Sequence, residues 1–196
     1  MRVSREEFDR KMAEMREESR EREERFYREL AEMREEFDRE MERMRRSSEE
    51  EYQKWRKKWG EISERLGRLA EDIFVPGVPY LMEGLGYQVQ ARFVDLEFKG
   101  HRQYDVVLLA RKPGEDEVAF VVEVKSTARA DDFDQLRKAL EDLPERFSPV
   151  QGKRLIPVLA AMRIPEDLIP LANRRGVLLV RMGGEYLEAL NPEVLP

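Results

Sequence analysis

Two acidic residues and a lysine stand where an otherwise apolar hairpin would leave them side by side. Glu123 and Lys125 interrupt the segment VAFVVEVKS, residues 118–126. Side chains of a β-strand alternate between its two faces, so these two project from the same face. Asp105 directly precedes the apolar run VVLLA in QYDVVLLAR, residues 103–111. These three polar groups are therefore candidates for chemistry.

The turn KPGEDE between the two segments predicts how they pair. If the hairpin folds about Gly114, opposed residues have numbers that sum to 228, and Asp105 lies opposite Glu123. Their Cβ atoms would then be about 4.5–5.5 Å apart. Facing carboxylates repel each other unless a cation lies between them, and oxygen ligands favour Mg²⁺ or Mn²⁺ over Zn²⁺. The spacing is compatible with a divalent metal site beside Lys125, and equally with a simple Glu123–Lys125 ion pair on an edge strand.

The elements that must position these groups follow from the hydrophobic periodicity. After Gly60 the order is predicted to be helix, three strands, helix, strand, which is an α/β fold. The first helix carries an apolar stripe to a stop at Val75-Pro76-Gly77. The other predicted helices are residues 131–143 and 165–175, and the predicted strands are 86–98, 103–111, 118–126, 154–162 and 176–182, with 185–190 as an edge strand.

The first 59 residues predict one long helix, because they contain neither proline nor glycine. From Phe26 to Met44 the apolar residues follow steps of 4, 3, 4, 4 and 3, an eleven-residue repeat typical of a straight or slightly right-handed coiled coil. A helix of this length is a rod of about 90 Å. Its narrow apolar stripe requires a second helix. We expect a homodimer, with parallel and antiparallel pairing and a tetramer left open.

Composition excludes several classes of protein. The 196 residues contain no cysteine and a single histidine, His101, which excludes a disulfide-stapled scaffold and cysteine-ligated metal sites and argues against a haem. No apolar stretch is long enough to span a membrane, and the first residues lack a secretory signal, so we expect a cytoplasmic protein. The net charge of −6 argues weakly against general polyanion binding.

The pattern Tyr104-Asp105-Val-Val-Leu, a short turn and Val-Val-Glu-Val-Lys resembles the PD-(D/E)XK nuclease superfamily, with Tyr104 in place of the proline. The predicted element order is similar to the α-β-β-β-α-β core of that restriction-endonuclease-like fold. Residues 55–192 resemble uncharacterised prokaryotic proteins in which a long coiled coil precedes such a domain. The resemblance implies a coiled-coil oligomerisation helix at 1–59 and a nuclease-like domain at 60–196.

The resemblance also implies roles for individual residues. Asp105 and Glu123 match the metal-binding carboxylates, and Lys125 matches the lysine that positions or activates the attacking water. The acid of the first helix matches Glu71, with Asp72 and Glu64 as rivals. Gln135 resembles the helix glutamine of the RecB-like branch, although the downstream tyrosine of that branch is missing.

The function implied is that of an endonuclease that hydrolyses nucleic acid, DNA in the first place, with Mg²⁺ or Mn²⁺ as cofactor. Gln135, Arg102, Lys153 and Arg154 are the candidate nucleic-acid contacts, and the basic end of the long helix is a further one. The alternative is a non-catalytic binding or scaffold module in a nucleic-acid-associated complex. An enzyme requires Asp105, Glu123, Lys125 and Glu71 to converge on one cleft, whereas the alternative tolerates their dispersal.

Overall fold

The computed structural model describes residues 5–44, 49–98, 103–183 and 186–196. It is a mixed α/β protein that divides into two compact units, residues 1–69 and 70–196. None of its described helices is long and apolar enough to cross a membrane. The helices are α1 (Arg5–Met44), α2 (Glu49–Gly84), α3 (Ala130–Arg146) and α4 (Ile169–Arg175), with 3₁₀ turns at Ser148–Val150, Glu166–Leu168 and Pro192–Val194.

The first unit is a pair of helices, not a single rod. The Phe37 ring of α1 lies 6.0 Å from Trp55 and 5.4 Å from Trp59 of α2, centroid to centroid. Lys58 donates to Glu36 at 2.6 Å and lies 3.6 Å from Glu40. In one straight helix, residues 37 and 59 would be about 33 Å apart. The predicted continuous rod is therefore wrong, since part of the α1 stripe packs against α2 of the same chain.

Helix α2 does not end at the predicted stop, Val75-Pro76-Gly77. It continues through Gly60, whose cost inside a helix is only about 1 kcal/mol, and through Pro76 and Pro79 to Gly84. Packing offsets the lost backbone bonds, because Phe74, Val78 and Met82 of this segment are fully buried. Gly77 lies so close to Tyr186 and Leu187 that a Cβ there would overlap both side chains.

One six-stranded mixed sheet forms the second unit. Its strands follow the order β1-β2-β3-β4-β5-β6, so β1 and β6 are the edges. The pairs β3–β4 and β4–β5 are parallel, and the others are antiparallel. The strands lie near their predicted positions, at Gln88–Glu97, Gln103–Arg111, Val118–Thr127, Arg154–Arg163, Leu178–Gly183 and Tyr186–Ala189.

The sheet is covered on both faces. Val106, Val122 and Val124 pack in one apolar cluster with the second half of α2. Val107 and Val121 pack in a second cluster with α3 and α4. With two covered faces, β2 to β5 are apolar almost throughout, so a charged side chain among them has to lie at a strand end or face a partner.

The hairpin of β2 and β3 has the predicted register. Val106 lies opposite Val122, and Ala110 lies opposite Val118, so paired numbers sum to 228. This register brings Asp105 and Glu123 to the same end of the hairpin, at the carboxyl end of β3, where parallel strands of α/β sheets commonly present their functional groups.

Candidate active site

Asp105 lies where the β2–β3 ladder ends. The last main-chain pair is Val106 and Val122. Beyond it, the backbone N–H of Val124 donates to Oδ2 of Asp105 at 2.7 Å. The carboxylate therefore occupies the place of a main-chain acceptor, and one of its oxygens is held rigidly at the edge of β3.

The local path of β2 explains how this side chain reaches β3. Tyr104 is buried in the same apolar cluster as Val107, beneath α3. Regular alternation would place residues three apart on opposite faces, so β2 departs from it at Asp105. The Tyr104 hydroxyl donates to the carbonyl of Ala139 in α3 at 3.2 Å, which anchors the strand on one side of this irregularity.

Glu123 and Lys125 form an ion pair on the face of β3 that α3 covers. Nζ of Lys125 donates to Oε1 of Glu123 at 2.6 Å, and the two side chains are 32% and 13% exposed. Burial lowers the pKa of Lys125, but the hydrogen bond and negative charge of Glu123, with smaller contributions from Asp132 and Asp105, hold it above its ordinary value of 10.5. The ammonium is therefore charged at neutral pH.

The pKa of Asp105 is raised, as expected for a buried carboxyl group among other negative charges. It is raised from 3.8 to about 6, chiefly by burial and then by the negative charges of Glu123 and Glu71, against the hydrogen bond from Val124 and the positive charge of Lys125. A carboxyl group that is both desolvated and surrounded by like charge favours a proton or a cation. Asp105, Glu123 and Glu71 thus contribute to one local negative potential.

Glu71 is exposed on α2, and its negative charge raises the pKa of Asp105. Its rivals from the sequence differ in placement. Asp72 is exposed on the following position of the same helix. Glu64 belongs to the first unit and forms an ion pair with Arg68 at 2.6 Å. The effect of its charge on Asp105 supports Glu71 as the acid of this helix.

One residue close to the site escaped the sequence analysis. Asp132 of α3 is 6% exposed, and its Oδ2 accepts the backbone N–H of Arg129 at 2.7 Å. Its charge also contributes to the raised pKa of Lys125. The sequence does place Asp132 in the first turn of a predicted helix, where the helix dipole stabilises a negative charge. Nothing in that pattern connected it with Lys125.

The candidate nucleic-acid contacts do not gather at this place. Lys153 forms an ion pair with Glu117 at 3.3 Å, and Arg154 starts β4 opposite Val118. Lys125 is seven residues further along β3 than Val118, which corresponds to about 23 Å. The structure therefore does not bring Lys153 and Arg154 to the candidate site.

The two remaining candidates have different outcomes. Gln135 is exposed on α3, one turn after Asp132, near the end of the helix that approaches Lys125. Arg102 lies outside the described residues, as does His101.

The donor chemistry fits a hard divalent cation held by few protein ligands. Among the described residues, no three acidic or histidine side chains stand close enough to form a complete ligand set. Mg²⁺ commonly binds through one or two carboxylates and keeps several waters. Asp105 has one oxygen bonded to Val124, and the raised pKa of this carboxyl indicates an anionic charge that lacks sufficient compensation. These two observations fit Asp105 and Glu123 as the protein's share of such a site.

No family model matches the chain, and no curated protein matches its sequence. Over 56% of its length the chain is similar to the crystal structure of a repair endonuclease from Pyrococcus abyssi, with 14% identity and a TM-score of 0.39. It is similar over the same share to the structure of EndoMS in apo form, with 16% identity and a TM-score of 0.37. The similarity spans 45% and 46% of those two chains, less than half of each.

Proposed function

We propose that the protein is a metal-dependent nuclease that hydrolyses phosphodiester bonds in nucleic acid, DNA being the expected substrate. One observation carries this proposal: Asp105, Glu123 and Lys125 meet at one strand end, where the carboxyl of Asp105 has a pKa raised to about 6. The element order and the motif resemble the PD-(D/E)XK superfamily, which supports the same assignment. We also propose that residues 60–196 form a nuclease-like domain with a restriction-endonuclease-like core.

Asp105 and Glu123, with Glu71 as a third acid, are the residues that would hold Mg²⁺ or Mn²⁺. Such an ion stabilises the charge that develops on the phosphate and leaving-group oxygens and lowers the pKa of a bound water. The bond from Val124 fixes the orientation of the Asp105 carboxylate before any ligand arrives. Preorganised ligands of this kind do not have to be reorganised during the reaction.

Lys125 acts in this proposal as a fixed positive charge. A general base would need the neutral amine, but Glu123 keeps the pKa of Lys125 above its ordinary value. The ammonium can therefore donate to the attacking water or to a non-bridging phosphate oxygen. If Glu123 held a cation, the buried carboxylate of Asp132 would still provide negative charge near Lys125.

The decisive experiment is a cleavage assay on plasmid, single-stranded and branched DNA with Mg²⁺ or Mn²⁺. Wild type should cleave at least one of these substrates, and Glu123→Gln and Lys125→Ala should lower the rate by about 10² or more. Glu145→Gln, an exposed acid near the far end of α3, is the matched control and should cleave like wild type. Circular dichroism should show that all variants are folded. Cleavage that persists unchanged in Glu123→Gln and Lys125→Ala would reject the assignment.

One observation favours the alternative of a non-catalytic binding or scaffold module. Oε1 of Glu123 already accepts a hydrogen bond from Lys125 at 2.6 Å. In that case the ion pair is permanent and only stabilises the strand end. Wild type would then bind nucleic acid without cutting it in either metal.

We also propose that the helices of the first unit mediate self-association. Their packing within one chain leaves large apolar side chains in contact with water: Tyr27 is 55% exposed, Met41 42% and Trp59 46%. Leu30 is 36% exposed and lies on the same side of α1 as Met41. A second copy would cover this surface, so two helix pairs in a homodimer replace the predicted coiled coil of two single helices.

A further inference from the structure

Two arginines flank the carboxyl end of β3 beside the candidate site. Arg163 ends β4, where it lies opposite Thr127, and the backbone N–H of Ala128 donates to its carbonyl at 2.9 Å. Arg129 follows directly and precedes the first turn of α3. The two backbones are therefore tied together within a few residues of Lys125.

Alternation places the Arg163 side chain on the same face as the proposed catalytic groups. The two preceding residues of β4 show which face is which, because Ala161 packs beneath α3 and Met162 packs on the opposite face of the sheet. Arg163 therefore shares the face of Ala161, which lies opposite Lys125. Two residues along one strand and one strand across give a Cα separation of about 8 Å between Lys125 and Arg163.

Both guanidinium groups are available to a ligand. Arg163 and Arg129 are exposed, and neither forms an ion pair with any acidic residue that the structure describes, whereas Arg175, Arg181 and Lys153 are all paired. In a chain of net charge −6, these two guanidinium groups supply positive charge beside the acidic groups of the candidate site. Guanidinium suits phosphate because its planar fork donates two parallel hydrogen bonds.

We infer that Arg163 and Arg129 bind the phosphate backbone of the nucleic acid next to the phosphate that Lys125 faces. This inference rests on the proposed function and assigns binding residues that the sequence analysis did not identify. The pair holds the strand in position and does not touch the reacting atoms. It takes the place of Lys153 and Arg154, which lie at the other end of β4.

The test is a salt titration of binding to a fluorescein-labelled duplex and to its single strand, with Ca²⁺ to prevent turnover. Arg163→Ala should weaken binding about five- to tenfold. It should also reduce the slope of log K against log[salt] by about 0.9 on the duplex or 0.7 on the single strand. Arg163→Lys should restore the slope. Arg129→Ala should behave like Arg163→Ala. The control is Arg146→Ala, which should match wild type, because Arg146 is an exposed arginine in the last turn of α3, about 26 Å along the helix from Arg129.

Cleavage kinetics separate this inference from the proposed function. With Mg²⁺, Arg163→Ala should raise KM and leave kcat within about twofold of wild type, as expected for loss of uniform binding. If wild type cleaves and Arg163→Ala and Arg129→Ala both bind with the wild-type salt slope, the inference is overturned and the proposed function stands. If wild type neither binds nor cleaves DNA, both are overturned.

Discussion

The backbone N–H of Val124 donates to Oδ2 of Asp105 at 2.7 Å, so a side-chain carboxylate continues the hydrogen bonding of the β2–β3 hairpin after its main-chain pairs end. The same carboxylate has a pKa near 6. Asp105 therefore has two roles: it accepts a hydrogen bond that holds the end of the hairpin together, and it contributes negative charge to the candidate site. Substitutions can distinguish these two roles.

Asp105→Asn should keep the structural role, because the amide oxygen still accepts the Val124 N–H. Asp105→Ala leaves that part-buried N–H without its acceptor, which costs about 1–3 kcal/mol. Both variants should lose metal-dependent cleavage. Urea unfolding at neutral pH should therefore find Asp105→Ala less stable than Asp105→Asn. Equal stability of the two would contradict the role assigned to this hydrogen bond.

The raised pKa of Asp105 predicts a pH dependence of stability in metal-free protein. The folded-state value of about 6 lies above the ordinary 3.8, so the folded state holds its proton more tightly than the unfolded state does. The protonated Asp105 carboxyl therefore stabilises the folded state, by at most about 3 kcal/mol. This contribution to the free energy of unfolding is fully present below about pH 4, decreases as the pH rises to about 6 and is lost above that pH. The difference in unfolding free energy between wild type and Asp105→Asn, measured from pH 4 to 8, checks this. A difference that does not vary with pH would refute it.

Divalent metal should stabilise the folded protein through Asp105 and Glu123. By mass action, Mg²⁺ at about a hundred times its Kd adds about 2.7 kcal/mol to the free energy of unfolding. The effect should weaken below about pH 6, because protons compete for the same oxygens. Thermal unfolding with MgCl₂ against NaCl of equal ionic strength measures it. Asp105→Asn/Glu123→Gln should show no response, and Glu97→Gln/Glu145→Gln, which changes two exposed acids, should respond fully.

Self-association should depend on the exposed apolar side of α1. Leu30→Glu/Met41→Glu places two charges on that surface, so we expect monomers where wild type forms dimers in multi-angle light scattering. Arg28→Glu, on the opposite side of the helix, should leave the dimer intact. Wild type that is monomeric at micromolar concentration would show that the helix pair is complete within one chain.

Much of the second unit could be predicted from the sequence, because its determinants are local. Period-two alternation and turn residues located β2 and β3, and Gly114 determined their register, so the common face of Glu123 and Lys125 followed without coordinates. The element order from α2 to β4 followed for the same reason. The function and the metal site remain proposals, since alternation shows where a side chain points and not what it binds.

Other features were decided by contacts between residues distant in sequence. The apolar stripe of α1 around Phe37 indicates that another helix must cover it. That helix could belong to a second chain or, as the structure shows, be the segment with Trp55 and Trp59 in the same chain. Pro76 and Pro79 read locally as helix breakers, and only the burial of Phe74, Val78 and Met82 beneath the sheet keeps α2 helical through them.

The composition of the candidate site divides in the same way. The sequence by itself determined that Asp105, Glu123 and Lys125 share one hairpin end, because hairpin register is set by a few residues. Only the tertiary structure brought Asp132 and Arg163 close to Lys125 and put Lys153 and Arg154 about 23 Å away along the strands. Parallel pairing of β3 with β4 joins residues that are 36 apart in the sequence. Its register depends on packing of the whole sheet against α2 and α3, which no local pattern encodes.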